Sequence, residues 1–282
     1  MPEQQLVVAT LDFARLLAAI DDHSIGTEWP DPPAEGTRWS GGYDDTIRET
    51  VFRAYQQLCG LAAMIASSRT PPTEAQLILA QHHRAYRDLT GALAVVGDDV
   101  FDLEPAEGEW PLRIVVYHIA LAERGFHALI HWAVRRQRTG NTLPIEMPDA
   151  FRDEVSEPIR EAGAIADVLV DYDRLHRRVM DEFVDLTEID LAAPNVWWEG
   201  WEVPARFRLH RFDSHLREHT IQVDKTLAGI GRSPTEPERL ARLLHRALGE
   251  VEVALLGAAG MCADQRRAVA DDIDDLIARL PD

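Results

Sequence analysis

The sequence predicts an all-α protein. Nearly every long segment of the 282 residues repeats its apolar side chains at the 3.6-residue period of an amphipathic helix, and convincing alternating patterns of the kind that indicate strands are absent. Hydrophobic residues make up 46% and charged residues 27% of the chain, a balance typical of a globular protein with a substantial core. The length suits one large domain or two.

Four predicted helices in the middle of the chain suit a four-helix bundle. The first covers about 73–96, because Thr73 follows two prolines and Gln76 stands three residues later, as in a capping box. The second begins near Pro111, since proline suits the first turn, and continues to about Arg138. We expect its buried stripe to include Ile114, His118, Leu121, Gly125 and Leu129.

The third and fourth helices are predicted at about 160–186 and 204–230. The loop before the third helix, 139–158, is long for a link between adjacent antiparallel helices, so we expect it to cross the end of the bundle. The loop 195–201 contains three tryptophans and leads directly into the fourth helix. Those tryptophans either pack against the bundle or form the roof of a pocket.

Helical patterns also occur before and after these four helices, over residues 4–20, 43–67, 235–257 and 264–280. We therefore divide the chain into an N-terminal helical extension (1–70), a four-helix bundle (71–232) and a C-terminal helical extension (233–282). The two extensions can pack together as a second helical layer.

Charge and cysteine content restrict the partners and the compartment. The formal net charge is −19, with no Lys/Arg cluster, which disfavours binding to nucleic acid. Cys59 and Cys262 lack a CxxC partner, and the first residues do not resemble a signal peptide, so we predict a reduced, cytoplasmic protein. The apolar runs are far shorter than the ~20 residues of a membrane span.

Three histidines form a candidate metal site. His215 and His219 are four residues apart and share one face of the fourth helix, while His118 lies on the predicted inward stripe of the second. Each could instead be an ordinary histidine bonded to a carbonyl or carboxylate group. Burying imidazoles without partners costs roughly 1–3 kcal/mol each, however, and a shared cation removes that cost. Three protein ligands leave one coordination position open, as in catalytic sites.

The order of these features resembles the DinB/YfiT-like family, whose members are regarded as metalloenzymes. In that family a tryptophan-led second helix carries one histidine, here Trp110 and His118, and the fourth helix carries a pair spaced by four, here His215 and His219. The resemblance covers about residues 73–232. It implies a four-helix bundle with up-down-down-up connectivity, a divalent ion such as zinc or nickel held by these three histidines, and frequently a homodimer.

The resemblance also implies a class of reaction. Some relatives transfer mycothiol, bacillithiol or glutathione, so the leading prediction is a metal-dependent S-transferase, mycothiol-type, that joins a small-molecule thiol to an electrophilic substrate. The alternatives are a non-catalytic metal-binding bundle acting as an interaction or stress-response module, and a metal-dependent hydrolase. A hydrolase needs a base, for which Glu123, Asp213 and Glu218 are candidates, although each also suits a solvated or supporting carboxylate.

The other histidines of the central helices do not form a set like that of His118 with His215 and His219. We expect ordinary core or surface roles for His82, His83, His127, His131 and His176.

Overall fold

The computed structural model describes residues 2–27, 46–196, 200–278 and 280, and the prediction of an all-α protein is confirmed. Its long helices are α1 (Pro2–Ala18), α2 (Ile47–Ser68), α3 (Glu74–Leu93), α5 (Leu112–Arg138), α7 (Ile165–Phe183), α9 (Ala205–Gly229), α10 (Glu236–Ala254) and α11 (Ala263–Ile277). Three short helices join them, α4 (Asp98–Phe101), α6 (Phe151–Val155) and α8 (Glu188–Leu191), with one 3-10 turn at Ser24–Gly26. Among the described helices, none combines the length and apolar character needed to cross a bilayer.

A short hairpin before α9 corrects the expectation of no strands. β1 (Pro194–Val196) pairs antiparallel with β2 (Glu202–Pro204), so the segment expected to be only a loop is a hairpin. Strands of three residues are too short to give the alternating pattern that would have revealed them. Of the three tryptophans in this segment, Trp197 and Trp198 lie outside the described residues, and half of Trp201 is exposed to solvent.

The chain divides into two compact units. The terminal unit comprises Met1–Pro71, Arg87–Val95 and Ser233–Asp282, and the bundle unit comprises Pro72–Tyr86 and Val96–Arg232. Helix α3 therefore contributes its first part to the bundle unit and its last part to the terminal unit. The sequence pattern did not indicate this division, because the apolar period runs through α3 without a break.

The terminal unit has one core, to which both ends of the chain contribute. Its apolar side chains come from α1, α2, α10 and α11, and include Phe13, Leu58, Leu248 and Ile273. An ion pair between Arg87 and Glu252 joins the last part of α3 to α10 within this unit.

Two glycines allow the last part of α3 to lie against α10. A Cβ atom on Gly91 would lie 3.0 Å from the Cβ of His245 and 3.1 Å from the Cα of Arg242. A Cβ atom on Gly249 would lie 3.1 Å from the Cβ of Arg87. Because a backbone atom of α10 lies this close to Gly91, a side chain at this position would force α3 or α10 to move.

The four bundle helices are the first part of α3 together with α5, α7 and α9. Helix α3 begins with the expected capping box, in which the Gln76 amide donates to the Thr73 hydroxyl and the Thr73 amide donates to the Gln76 side chain. Along α5 and α9, His118 contacts His219 whereas Phe126 contacts Phe212, so the two helices are antiparallel.

Two further pairs of contacts give the remaining helix directions. Along α5 and α7, Glu123 meets Tyr172 and His127 meets Glu182, which makes these helices parallel. Along α3 and α7, contacts run in opposite directions, from His83–His176 to Tyr86–Asp173. The order is therefore up-down-down-up, as expected.

Parallel neighbours need a long connection, and residues 139–164 provide it. The segment returns along the side of α5: Phe151 packs on Trp132, Asp153 pairs with Arg124, and the Gly163 carbonyl accepts a hydrogen bond from Arg113. The expectation that the loop crosses the end of the bundle is thus wrong, because a link between parallel helices must cover their full length.

The predicted buried stripe of α5 is also wrong, because none of its five residues is buried: Leu121 is exposed and the other four are half-buried. Leu121 is 39% exposed, whereas Val115, Ile119, Glu123 and Phe126 are buried. Helix α5 contacts α7 on one side and α9 on another. Its buried surface is therefore broader than the single stripe that a one-sided amphipathic helix would show.

Substitution of Gly91 tests the close crossing in the terminal unit. We expect Gly91→Ala to lower the free energy of unfolding by about 1–3 kcal/mol, because the added methyl group overpacks against the α10 backbone. Gly60→Ala in α2 is the matched control, since no atom lies within 4 Å of the position that its added methyl group would occupy. The control should gain about 0.5–1 kcal/mol from helix propensity. If both substitutions changed the free energy of unfolding in urea by the same amount, the close crossing would be contradicted.

Candidate metal centre

The three predicted histidines come together on the facing sides of two antiparallel helices. His118 projects from α5, and His215 and His219 project from consecutive turns of α9. The Nε2 atoms of His118 and His215 are 3.2 Å apart, and the ring centroids of His118 and His219 are 4.7 Å apart. One nitrogen from each ring lies within 4.8 Å of the others, which is the arrangement a shared ion requires.

The cluster reaches the surface of the bundle unit. His215 is buried, whereas His118 and His219 are half-buried. The ring of Trp110, which is 41% exposed, lies 5.2 Å from His118. A small molecule can therefore reach two of the three imidazoles from solvent, and would meet an aromatic side chain there.

Hydrogen bonding orients one of the rings. The Nδ1 atom of His219 lies 2.7 Å from the side-chain oxygen of Gln222, which can only accept, so Nδ1 carries the proton. Nε2 is then the ring nitrogen that can act as a metal ligand. An outer partner of this kind is typical of metal-ligating histidines. Nδ1 of His215 is buried and has no hydrogen-bond partner among the described residues.

The electrostatics keep His215 and His118 neutral. Burial lowers the pKa of His215 to about 3, assisted by His219, His118 and Arg211. Burial and His219 also lower the pKa of His118, against the opposing effect of Glu218. Neutral imidazoles have the lone pairs that metal coordination needs, and three such donors fit a divalent transition metal.

The three candidate bases have different surroundings. Asp213 accepts a hydrogen bond from Arg217 at 2.7 Å. Glu218 is exposed and opposes the lowering of the pKa of His118 by burial, so of the three carboxylates it is the one with an electrostatic effect on the cluster. Glu123 is completely buried, accepts a hydrogen bond from Tyr172 and lies beside His82 instead.

The structure reveals a second cluster that sequence reasoning missed. His82, Glu123 and His176 are all buried, and their ligand-type atoms lie within 4.8 Å of one another. Burial lowers the pKa of His82 to about 3 and raises that of Glu123 to about 8, although the Tyr172 hydroxyl opposes the rise. Each residue belongs to a different helix, so no spacing in the sequence could have connected them.

A third cluster consists of His127, His131 and Glu182. Its signal was present in the sequence, because His127 and His131 repeat the four-residue spacing of the first cluster. Both rings contact one oxygen of Glu182, while Arg178 donates to the other. Burial would raise the pKa of Glu182, but these hydrogen bonds outweigh it and lower the pKa to about 2. This carboxylate is therefore ionised and fully paired.

The chain matches a known protein family. The model of the DinB superfamily matches residues 81–223, just over half of the chain. The matched range includes all three histidines of the first cluster and most of the four bundle helices. No curated protein and no solved structure matches the chain.

The lowered pKa of His215 predicts a pH dependence for the metal-free protein. The unfolded chain binds a proton at this residue near pH 6.5, whereas the folded protein does so only near pH 3. Stability is therefore fully present above pH 6.5 and falls as the pH drops toward the folded value. We expect His215→Leu to reduce the slope of unfolding free energy between pH 6 and 4 by roughly 1 kcal/mol per unit.

Urea unfolding at several pH values provides the measurement. The exposed His210 on the same helix gives the control variant His210→Leu, which should keep the steeper slope of the unchanged protein. Identical slopes for both variants would show that His215 titrates normally in the folded state.

Proposed function

The chain belongs to the DinB superfamily, and from that premise we propose that His118, His215 and His219 hold one divalent metal ion. The observation that carries the proposal is the convergence of three imidazoles from two antiparallel helices, with ligand nitrogens within 4.8 Å of one another. Zinc or nickel is the proposed ion, since imidazole ligands suit both metals. The Gln222 contact supports the proposal because it leaves Nε2 of His219 free to bind.

We further propose that the protein is an enzyme of the S-transferase class, mycothiol-type, which uses a small-molecule thiol and an electrophilic substrate. A divalent ion would supply Lewis-acid chemistry, lowering the pKa of a thiol or a water molecule bound at its open position. The partial exposure of His118 and His219 supports access for such a molecule.

The residues around the opening have separate proposed roles. Trp110 offers an aromatic surface beside His118, suited to the carbon skeleton of a substrate. Arg211 acts electrostatically on His215 and would attract an anionic group. Gln222 holds the ring of His219 in one orientation. Together they would bind and orient a small polar molecule at the cluster.

A metal-dependent hydrolase is the second candidate, and Glu218 is the observation that favours it. This carboxylate is exposed and acts electrostatically on His118, so it lies near enough to the cluster to be proposed as the base that accepts a proton from water. A non-catalytic interaction module is less well supported, because a purely structural site would be closed to solvent.

The proposal includes the cellular setting predicted from the sequence. Cys59 and Cys262 are both free thiols, which suits a reduced, cytoplasmic protein. A homodimer also remains part of the proposal, as the resemblance implies.

Metal analysis of variants tests the proposed ligands. We expect His118→Ala and His219→Ala each to lose one equivalent of zinc or nickel relative to the unchanged protein, because two imidazoles hold the ion too weakly to survive desalting. The exposed His210 is on the same helix as His219, and His210→Ala is the control that should lose none. Equal metal content in all four proteins would contradict the ligand assignment.

A paired activity assay separates the two candidate reactions. The metal-loaded protein is incubated with an electrophile such as a chlorodinitrobenzene, together with mycothiol, bacillithiol or glutathione. We expect conjugate formation with at least one thiol, abolished by His219→Ala and retained by His210→Ala. Ester hydrolysis that needs no thiol and is lost in Glu218→Gln would instead favour the hydrolase and overturn the transferase proposal.

A further inference from the structure

The second cluster lies inside the bundle unit, away from the first. His82 of α3, Glu123 of α5 and His176 of α7 are 0%, 0% and 1% exposed. The rings of Phe212 and Phe126 form a series of contacts between His82 and His215, with centroids 5.0 to 5.6 Å apart. Aromatic side chains therefore separate the two groups of ligand-type atoms.

Two distances within this cluster are close to those between atoms around one ion. Nδ1 of His176 lies 3.1 Å from Nε2 of His82, which lies 3.7 Å from Oε2 of Glu123. Ligands about 2.0–2.1 Å from a tetrahedral zinc ion are roughly 3.3 Å apart. Two imidazoles and one carboxylate are also a donor set that binds zinc and other divalent transition metals.

The polar groups of Glu123 are incompletely satisfied without a cation. Oε1 accepts a hydrogen bond from Tyr172 at 2.8 Å, but Oε2 is buried and has no hydrogen-bond partner among the described residues. If Glu123 is ionised, its buried negative charge has no arginine or lysine partner among the residues that the structure describes. If it is protonated on Oε2, Nε2 of His82 at 3.7 Å is too far away to accept a hydrogen bond. A cation would satisfy this oxygen.

Neighbouring side chains hold the three candidate ligands in place. Nε2 of His176 lies 2.9 Å from Nδ1 of His83, and Tyr86 stacks on the His176 ring at 3.7 Å. Tyr172 fixes the Glu123 carboxyl group. Outer partners that orient imidazole and carboxylate ligands are the usual surroundings of a metal site. Within the described chain, Nδ1 of His82 lacks a hydrogen-bond partner with or without an ion.

The third cluster also leaves a buried imidazole nitrogen, Nδ1 of His127, without a partner among the described residues, but its carboxylate is satisfied. Its carboxylate, Glu182, already receives hydrogen bonds from His127, His131 and Arg178, so no cation is needed to balance it. The comparison supports the buried cluster as the stronger candidate.

We propose that His82, Glu123 and His176 form a second divalent-metal site, independent of the first, that joins α3, α5 and α7 in the interior of the bundle unit. Because its ligands are buried, the site has a structural role, and the ion enters during folding. It requires neither the open coordination position nor any reaction at the first cluster.

The experiment uses full-length protein carrying His118→Ala and His219→Ala, which removes two ligands of the first cluster. The protein is refolded from urea with zinc, desalted and analysed for metal content. We expect one equivalent of zinc to remain, and addition of Glu123→Gln to remove it. Adding Glu182→Gln instead is the matched control and should leave the zinc content unchanged.

Several outcomes would overturn the proposal. These are the absence of zinc from the double variant, retention of zinc after Glu123→Gln, and loss of zinc only after Glu182→Gln. If circular dichroism shows that the Glu123→Gln protein does not refold, the test uses the double variant alone. Anomalous diffraction at the zinc edge then locates the ion. A peak among His82, Glu123 and His176 supports the site, and a map without that peak excludes it. The first cluster can fail its own test without affecting this result.

Discussion

The antiparallel packing of α5 against α9 is the contact on which the candidate centre depends. It places His118 opposite the consecutive turns that carry His215 and His219. Phe126 follows His118 by eight residues on α5, and Phe212 precedes His219 by seven residues on α9. The two aromatic rings fill the same interface. The aromatic part fixes the register of the two helices, and that register decides whether the imidazoles meet. A shift of one residue along either helix would turn its histidines away from the partner.

Helix α5 contributes to three polar clusters because it is packed on two sides. His118 faces α9, Glu123 faces α3 and α7, and His127 with His131 faces Glu182 of α7. Each buried polar group needs a compensating partner, and the clusters provide it differently. Among the described residues, each cluster leaves a buried imidazole nitrogen without a hydrogen-bond partner, namely Nδ1 of His215, His82 and His127. The carboxylates differ: Glu182 is fully paired, whereas Oε2 of Glu123 has no hydrogen-bond partner in that part of the structure.

Local patterns in the sequence predicted the eight long helices, the Thr73 capping box and the proximity of His118 to the pair at 215 and 219, but not the short helices α4, α6 and α8. The helices and the capping box depend on residues within a few turns of one another. The proximity of the histidines was expected from the order in which the two histidine-bearing helices follow each other. The buried position of Glu123 could not be predicted, because its partners come from α3 and α7 and its burial depends on how those helices pack. The hairpin beside residues 197–199 was missed since its strands are too short to show a period.

X-ray absorption at the zinc edge, on full-length protein carrying Glu123→Gln and loaded with one equivalent of zinc, decides whether His118, His215 and His219 bind one ion. We expect nitrogen ligands at about 2.0–2.1 Å from the ion and the multiple scattering of three imidazoles. Changing His215 to alanine should remove one of them. A spectrum dominated by oxygen ligands, or one that the His215→Ala change leaves unaltered, would contradict this expectation.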